Sequence, residues 1–194
     1  MFFKGSYEFK LRKYVCVKNM YVVKKKLSGR SSFGAIVIGH TGGGSKKRYR
    51  LVDFFRIFRD MPAKVIRFEY DPNRSAYLAL ISYLNGCLSY VLASSLLKVG
   101  DYIFSGSVFS MSVGSVFSLY RIPLGSFVHS VSLRLKLGGI MARAAGTSIQ
   151  VLKKIGLFVL LRLPSKEERF VNFFRFASVG KVGYESKKFI YLVK

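Results

Sequence analysis

Little in this sequence can do acid–base or metal chemistry. Its 194 residues include 9 Asp plus Glu, 2 His, 2 Cys and 4 Pro. The cysteines, Cys16 and Cys87, are too few and too far apart for a disulfide scaffold. No metal-ligand spacing relates them to His40 and His129, and neither histidine lies in a nucleophile motif. His129, within Phe127-Val128-His129-Ser130-Val131, reads as one polar position on an alternating strand. Glu69 and Asp71 stand among Arg67 and Arg74, a setting for structural ion pairs rather than for a carboxylate catalyst. The expectation is a protein that is not an enzyme and holds no cofactor of its own.

Positive charge is what the chain has in excess. Lys and Arg number 33, for a formal net charge of +24, while apolar residues make up 51% and aromatics 15%. Such a composition supports a core and excludes whole-chain disorder. Self-repulsion of that charge calls for a polyanionic partner, either nucleic acid or an acidic membrane surface. Residues 1–74 carry +13, residues 75–133 carry +1 and residues 134–194 carry +10. Two basic blocks thus flank a nearly neutral centre.

That centre has the length of membrane spans. No charge occurs from Ser75 to Leu97 or from Tyr102 to Tyr120, and ~20 apolar residues suffice to cross a bilayer. An integral membrane protein with a basic, matrix-facing tail is therefore the alternative reading. Residue order favours buried β-structure. Asn85-Gly86 separates Leu78–Leu84 from Cys87–Ala93, the pattern of a hairpin with a two-residue type I′ turn. The second run is broken by six serines and by Gly106 and Gly114, which weaken a helix.

Further strands are expected at Ala35–Ile38, Arg50–Phe55, Ala63–Phe68, Tyr102–Phe104, Phe127–Leu133, Phe158–Leu163 and Arg169–Phe173. Short helical turns are expected near Ser94–Leu97 and Met141–Leu152, and no long helix. Strands at this spacing indicate small barrels or a sandwich. Residues 1–28 read as a basic, extended arm. With one Arg and two Ser they do not resemble a mitochondrial presequence, and no signal-peptide core is visible.

Gly39-His40-Thr41-Gly42-Gly43-Gly44-Ser45-Lys46 approximates a phosphate-binding loop, but Lys does not directly follow the last Gly and no helix pattern follows. Its glycines could still let backbone approach a phosphate, with Lys46, Lys47, Arg48 and Arg50 supplying charge. His40 either touches that phosphate or stands in solvent.

Several strings in one register carry a resemblance. They are Gly29-Arg30 through Gly34, His40-Thr41-Gly42-Gly43-Gly44, Arg48-Tyr49-Arg50-Leu51-Val52-Asp53-Phe54 and Pro62-Ala63-Lys64-Val65. Then follow Glu69-Tyr70-Asp71-Pro72-Asn73-Arg74-Ser75-Ala76, Ile122-Pro123-Leu124-Gly125, and Gly138-Gly139 with Ala142-Arg143-Ala144-Ala145-Gly146-Thr147. Leu161-Arg162-Leu163-Pro164-Ser165 completes the series. Over residues 29 to 183 the chain resembles the L2 family, the universal second protein of the large ribosomal subunit. The departures are Ser45 where the family has His, Ser112-Val113-Gly114-Ser115 for a Lys-Pro-Gly-Asn-like loop, and Arg134-Leu135-Lys136-Leu137 before Gly138-Gly139.

The resemblance implies a mainly β protein, an OB-fold barrel followed by an SH3-like β-barrel, with a basic N-terminal extension. The implied division is an arm and Gly-rich loop over 1–44, the OB-fold domain over 45–108, the SH3-like domain over 109–183 and a basic tail over 184–194. It also implies a structural constituent of the large subunit that binds rRNA near the peptidyl-transferase region, with any Mg²⁺ entering only through that RNA. Arg74 and Arg143 match family positions tied to rRNA binding. Without an RNA role, Arg74 would merely close a turn with Asp71, and Arg143 would be a solvated loop charge. The full set of candidate rRNA contacts is Arg30, His40, Lys46, Lys47, Arg48, Arg50, Arg67, Arg74, Arg121, Arg134, Arg143, Thr147 and Arg162. Neighbouring large-subunit proteins are the other expected partners.

The surplus of Phe, Tyr, Ser, Leu and Lys suggests an AT-rich organellar gene, hence a ribosome of the mitochondrial matrix, with a plastid as the alternative. The family continues past its second barrel into an extension bearing Val-Asp-His-Pro-His-Gly-Gly, and no such string occurs here. The corresponding expectation is a separate polypeptide that supplies this segment and docks on a basic strand at Lys187–Val193.

Overall fold

A computed structural model describes residues 17–24, 26–42, 44–106, 111–134 and 138–189. The expected arm therefore lies largely outside the described residues, as do 135–137 of the basic loop and the last five positions. The described chain is built from twelve short strands in three antiparallel sheets, and its only helices are two 3-10 segments. No helix among the described residues is long and apolar enough to cross a membrane.

The first barrel uses β3 (Ala63–Glu69), β4 (Leu78–Tyr83), β5 (Leu88–Leu92) and β6 (Tyr102–Ile103), in sheet order β5-β4-β3-β6. Preceding them, β1 (Tyr21–Val23) pairs with β2 (Arg48–Arg50). Strand β4 explains the apolar run that reads like a membrane span. Ala79 and Ile81 face the barrel interior with Val65, Phe68, Val91 and Ile103. Leu78 and Leu80 face outward, yet Met20, Val52, Phe54, Tyr90 and Val182 cover them. A strand covered on both faces has no polar alternation to show.

Asn85-Gly86 does turn the hairpin, but not as a two-residue type I′ turn. Ser82 faces Leu88, the Gly86 N–H donates to the Tyr83 carbonyl, and the Tyr83 N–H donates to the Cys87 carbonyl. Of Asn85 and Gly86, only Gly86 has a positive φ (80°). The loop is thus Leu84-Asn85-Gly86, a type I turn closed by a left-handed glycine. The Asn85 carboxamide accepts from the Cys87 N–H, which holds the loop without a left-handed Asn.

The second barrel is a six-stranded sheet in the order β11-β10-β9-β8-β12-β7. Its strands are β7 (Val116–Ser118), β8 (Phe127–His129), β9 (Ile149–Ile155), β10 (Phe158–Arg162), β11 (Glu168–Asn172) and β12 (Phe176–Val179). Phe117, Leu119, Ile122, Val128, Ile149, Val151, Val159, Leu161 and Ala177 fill its interior. The chain is thus an OB-fold barrel followed by an SH3-like barrel, the expected class.

Three local expectations are corrected. Ile149–Ile155 is a strand rather than part of a helical turn, because alternate residues Ile149 and Val151 reach the core. Ala35–Ile38 forms no strand; it contributes one bridge, Ile36 to Arg30, and its apolar side chains stay exposed. Residues Glu185–Phe189 form a 3-10 helix where a strand was expected from Lys187 onward.

The barrels are joined by backbone hydrogen bonds. Ser95 N–H donates to the Lys181 carbonyl (2.9 Å) and Gly183 N–H to the Ala93 carbonyl (2.9 Å), around a Ser94–Val182 bridge. On the other side Val116 N–H donates to the Phe104 carbonyl (2.8 Å) and Gly106 N–H to the Val116 carbonyl (3.1 Å). Between them the Ser94 hydroxyl and His129 Nε2 lie 2.9 Å apart, both fully buried. The strand reading of His129 is therefore met, with the added role of a buried link between barrels.

Candidate nucleic-acid interface

Asp53 shapes the approach to the junction. Its carboxylate accepts from the N–H groups of Phe55 (3.0 Å), Arg56 (2.8 Å) and Ile57 (3.2 Å), bending the chain just after β2. The bend turns Arg56 into the interior, where Nη2 donates to the Gly114 carbonyl of the second barrel (3.1 Å). It also presents the Phe54 ring to the groove between the barrels. There the second barrel comes very close: the Gly139 N–H donates to the Phe54 carbonyl (3.0 Å). A Cβ on Gly138 would lie 2.7 Å from Phe54 backbone, and one on Gly139 would lie 2.0 Å from the Ser130 carbonyl oxygen. Both positions need glycine for want of space.

On this scaffold two arginines converge, one from each barrel. The Arg143 guanidinium lies over the Phe54 ring at 3.6 Å, and its Nε donates to the Gly139 carbonyl. Arg74 approaches the rings of Phe54 and Tyr49, at 5.8 Å from each centroid. Partial burial lowers the Arg143 pKa, and the nearby Arg74 charge lowers it further. No carboxylate pairs with Arg143 among the described residues. The face of Phe54 and a backbone carbonyl hold it instead. Ala145 N–H donates to the Ser75 hydroxyl (3.0 Å), tying the two arginine-bearing loops together.

Behind this pair lies a buried cluster of opposite character. Glu69 and Asp71 are 1% and 0% exposed. Arg67 Nη2 contacts Glu69 at 2.8 Å, Arg50 spans both carboxylates at 3.5 and 4.0 Å, and Tyr90 donates to Glu69 at 2.9 Å. Arg74 Nε pairs with Asp71, while Asn73 N–H donates to the same carboxylate (2.9 Å). The ion-pair reading of Glu69 and Asp71 thus holds. Arg74 does close the turn with Asp71, and its guanidinium also faces the aromatic groove. Arg50 is turned inward with its side chain 8% exposed, unlike its basic neighbours.

The other candidate residues are scattered. Arg30, His40, Lys46, Lys47 and Arg48 lie exposed along the Gly-rich segment and β2, with Arg48 over the Tyr21 ring at 4.7 Å. The Gly-rich segment leads into β2, not into a helix. Lys26 Nζ donates to the carbonyls of Gly44 and Ser45 at 2.8 Å each, so a lysine of the chain itself occupies that side of the loop. Thr147 spends its hydroxyl on the Ala144 carbonyl at 2.7 Å. Arg121 and Arg134 are exposed on the second barrel, and Arg162 pairs with Glu168 at 2.9 Å away from the junction.

Sequence reasoning did not single out Phe54 or Tyr49. The available signal was aromatic residues interleaved with arginine over Arg48–Phe54. Among the described residues, no group of three or more His, Cys, Asp or Glu forms a metal cluster. His129, wholly buried beside the Arg56 charge, has its pKa lowered to about 3, chiefly by desolvation.

Comparison with known protein families gives two matches in chain order. Residues 17–105 match the description "Ribosomal Proteins L2, RNA binding N-terminal domain", and residues 112–194 match "Ribosomal Proteins L2, C-terminal domain". The second match runs through the final residue, beyond Gly183, where the family-like strings stop.

Proposed function

The chain belongs to the ribosomal protein L2 family, and from that premise we propose how this large-subunit, RNA-binding protein engages its RNA. The family is structural, so the task is to hold folded RNA rather than to turn over a substrate. The groove between the barrels grips rRNA phosphates and bases through Arg74 and Arg143, with Phe54 and Tyr49 as the apolar floor. The convergence of two arginines from separate barrels on one aromatic ring carries this reading. Guanidinium groups serve phosphate and base edges bidentately, and folded RNA is read largely by shape and by such contacts.

The exposed Arg30, Lys46, Lys47 and Arg48 extend the contact along the arm, and Arg121 and Arg134 add basic points on the second barrel. His40 joins the arm contacts. Arg50 and Arg67 act from behind, by fixing the carboxylates that set the Arg74 turn, and Thr147 shapes the Arg143 loop. No cofactor takes part, and Mg²⁺ is brought by the RNA. The amino-acid bias supports an organellar ribosome, that of the mitochondrial matrix or of a plastid, and the family supports a place near the peptidyl-transferase region. The separate polypeptide expected from the sequence is not part of this reading.

Binding of the chain to large-subunit rRNA should weaken linearly in log affinity against log salt, by about 0.7–0.9 per phosphate contact. Replacing both Arg74 and Arg143 by Ala should make that slope shallower by about 1.4–1.8. An unchanged slope would remove the groove from the RNA contact. Mass spectrometry of ribosomes purified from isolated organelles tests the location.

A further inference from the structure

The seam between the barrels encloses a cavity of about 30 Å³. Space of that size holds about two water molecules, and a buried water needs several polar partners. The wall supplies them. His129 and Ser178 are paired across β8 and β12 and both line the cavity, while their strand neighbours Val128 and Ala177 point into the second barrel's core. Ser132 joins them from the same barrel, and Asp53, Arg56 and Arg59 come from the bend after β2. Phe54 is also part of the wall, so the cavity lies behind the ring that carries Arg143.

Two of these groups are short of partners. His129 is 1% exposed, and its Nε2 is engaged by Ser94, which is not part of the wall. Its Nδ1 is buried with no hydrogen-bond partner among the described residues. The ring edge left over is therefore the one that faces the cavity. Arg56 is 5% exposed, and the bond from Nη2 to the Gly114 carbonyl uses one of its several N–H donors. No carboxylate among the described residues forms an ion pair with it. The Asp53 carboxylate accepts from three backbone N–H groups, and Arg59 lies over the Phe176 ring at 4.3 Å. A buried imidazole nitrogen and a buried guanidinium left unsolvated are both costly.

We propose that ordered water in this cavity bridges Arg56 to His129 Nδ1 and fixes His129 as its Nε2–H tautomer. The direction follows from the chemistry of the two groups. A guanidinium only donates, so the water accepts from Arg56 and donates onward. Nδ1 then carries the lone pair and Nε2 the proton, which it donates to the Ser94 hydroxyl oxygen. The Arg56 charge favours the same choice, because a lone pair rather than an N–H is turned toward the cation. Water thus joins the first barrel to the second where no side chain does so directly. The inference does not depend on the RNA reading.

NMR of the full chain with ¹⁵N-labelled imidazoles, at about pH 7.5 where His129 is neutral, reads the tautomer. His129→Gln assigns the signals. Nε2 should show a protonated-type shift and Nδ1 a lone-pair-type shift displaced by hydrogen bonding, with a cross-relaxation peak from the ring to a long-lived water. Ser178→Val replaces the hydroxyl and puts a further methyl into the cavity. It should remove the water peak, bring Nδ1 to the shift of an unbonded ring nitrogen, and lower the number of long-lived waters seen by ¹⁷O relaxation by about one. Ser178→Ala, which adds no bulk, should keep the water peak and the native Nδ1 shift. A protonated Nδ1, no long-lived water against the ring in the native chain, or a water peak that survives Ser178→Val would overturn the proposal. So would an Nδ1 shift that follows chloride concentration at fixed ionic strength, since an anion would then be the occupant. Where Ser178→Val does not fold, the tautomer and the water peak of the native chain decide.

Discussion

Two arginine clusters a few ångströms apart use one residue type for opposite ends. Around Glu69 and Asp71, Arg50 and Arg67 are held by carboxylates sealed from solvent. Around Phe54, Arg143 has an aromatic ring and a backbone carbonyl but no carboxylate among the described residues. A buried charge must be compensated within the fold or it neutralises or unfolds the chain. A half-buried guanidinium over a ring keeps its charge unspent for a ligand. The inner cluster therefore serves stability and the outer pair serves recognition, with Arg74 belonging to both through Asp71 and the groove.

The sharpest way to break this division is to remove an inner carboxylate. Glu69→Ala would take from Arg67 the carboxylate at 2.8 Å and from Arg50 one of its two, and would remove the oxygen that accepts from the Tyr90 hydroxyl. Loss of one partner of a buried pair costs about 3–5 kcal/mol, read as a shift in the urea midpoint. A loss below about 1 kcal/mol would place the cluster in effective contact with solvent.

Gly138→Ala probes the seam on which the outer pair is built. Its methyl would press on Phe54 backbone at 2.7 Å, and overpacking of this kind costs about 1–3 kcal/mol. Because Phe54 is the floor under Arg143, rRNA affinity should fall as well, by about tenfold. Stability lost with affinity retained would show that the ring does not position the arginine.

His129 links the same two barrels through a group that must stay neutral. Its folded pKa of about 3 lies below the ordinary 6.5, so the unfolded chain takes the proton first as pH falls. The link is at full strength above pH 6.5 and weakens steadily from there down toward pH 3. At pH 5 the loss is about 2 kcal/mol. Comparing unfolding at about pH 7.5 and about pH 5 for the native chain and for His129→Gln isolates it. An equal pH dependence in both would show that the imidazole is not buried neutral.

The smallest effect on stability belongs to the outer pair itself. Arg143→Ala should leave the unfolding midpoint within about 1 kcal/mol, since only a partly exposed cation–π contact and one hydrogen bond are lost. Affinity for rRNA should nevertheless drop about tenfold, as for one guanidinium contact. The reverse pattern would move Arg143 into the structural class and erase the contrast between the clusters.

Local residue order determines much of this protein. Strand-length apolar runs and the turn residues between them locate β3, β4, β5, β10 and β11 to within a residue or two, because the turns bound such runs wherever the strand's own faces end up. The +24 charge in two blocks requires a polyanion, and the spacing of Glu69–Ala76 and of Gly138–Thr147 points to the family and to Arg74 and Arg143. Tertiary packing decided the rest. It covered β4 on both faces, turning a stretch that reads as a membrane span into the middle of a sheet. It made Ile149–Ile155 a strand, since only the facing β8 and β10 give those residues partners. It sent Arg50 inward and left Arg48 out, a choice invisible in Arg48-Tyr49-Arg50, because burial is set by what arrives from Glu69 and Asp71, a whole strand further along the chain. And it brought Phe54 beneath the guanidinium of Arg143, far along the sequence, since a ring and a cation meet only where two barrels close on glycine.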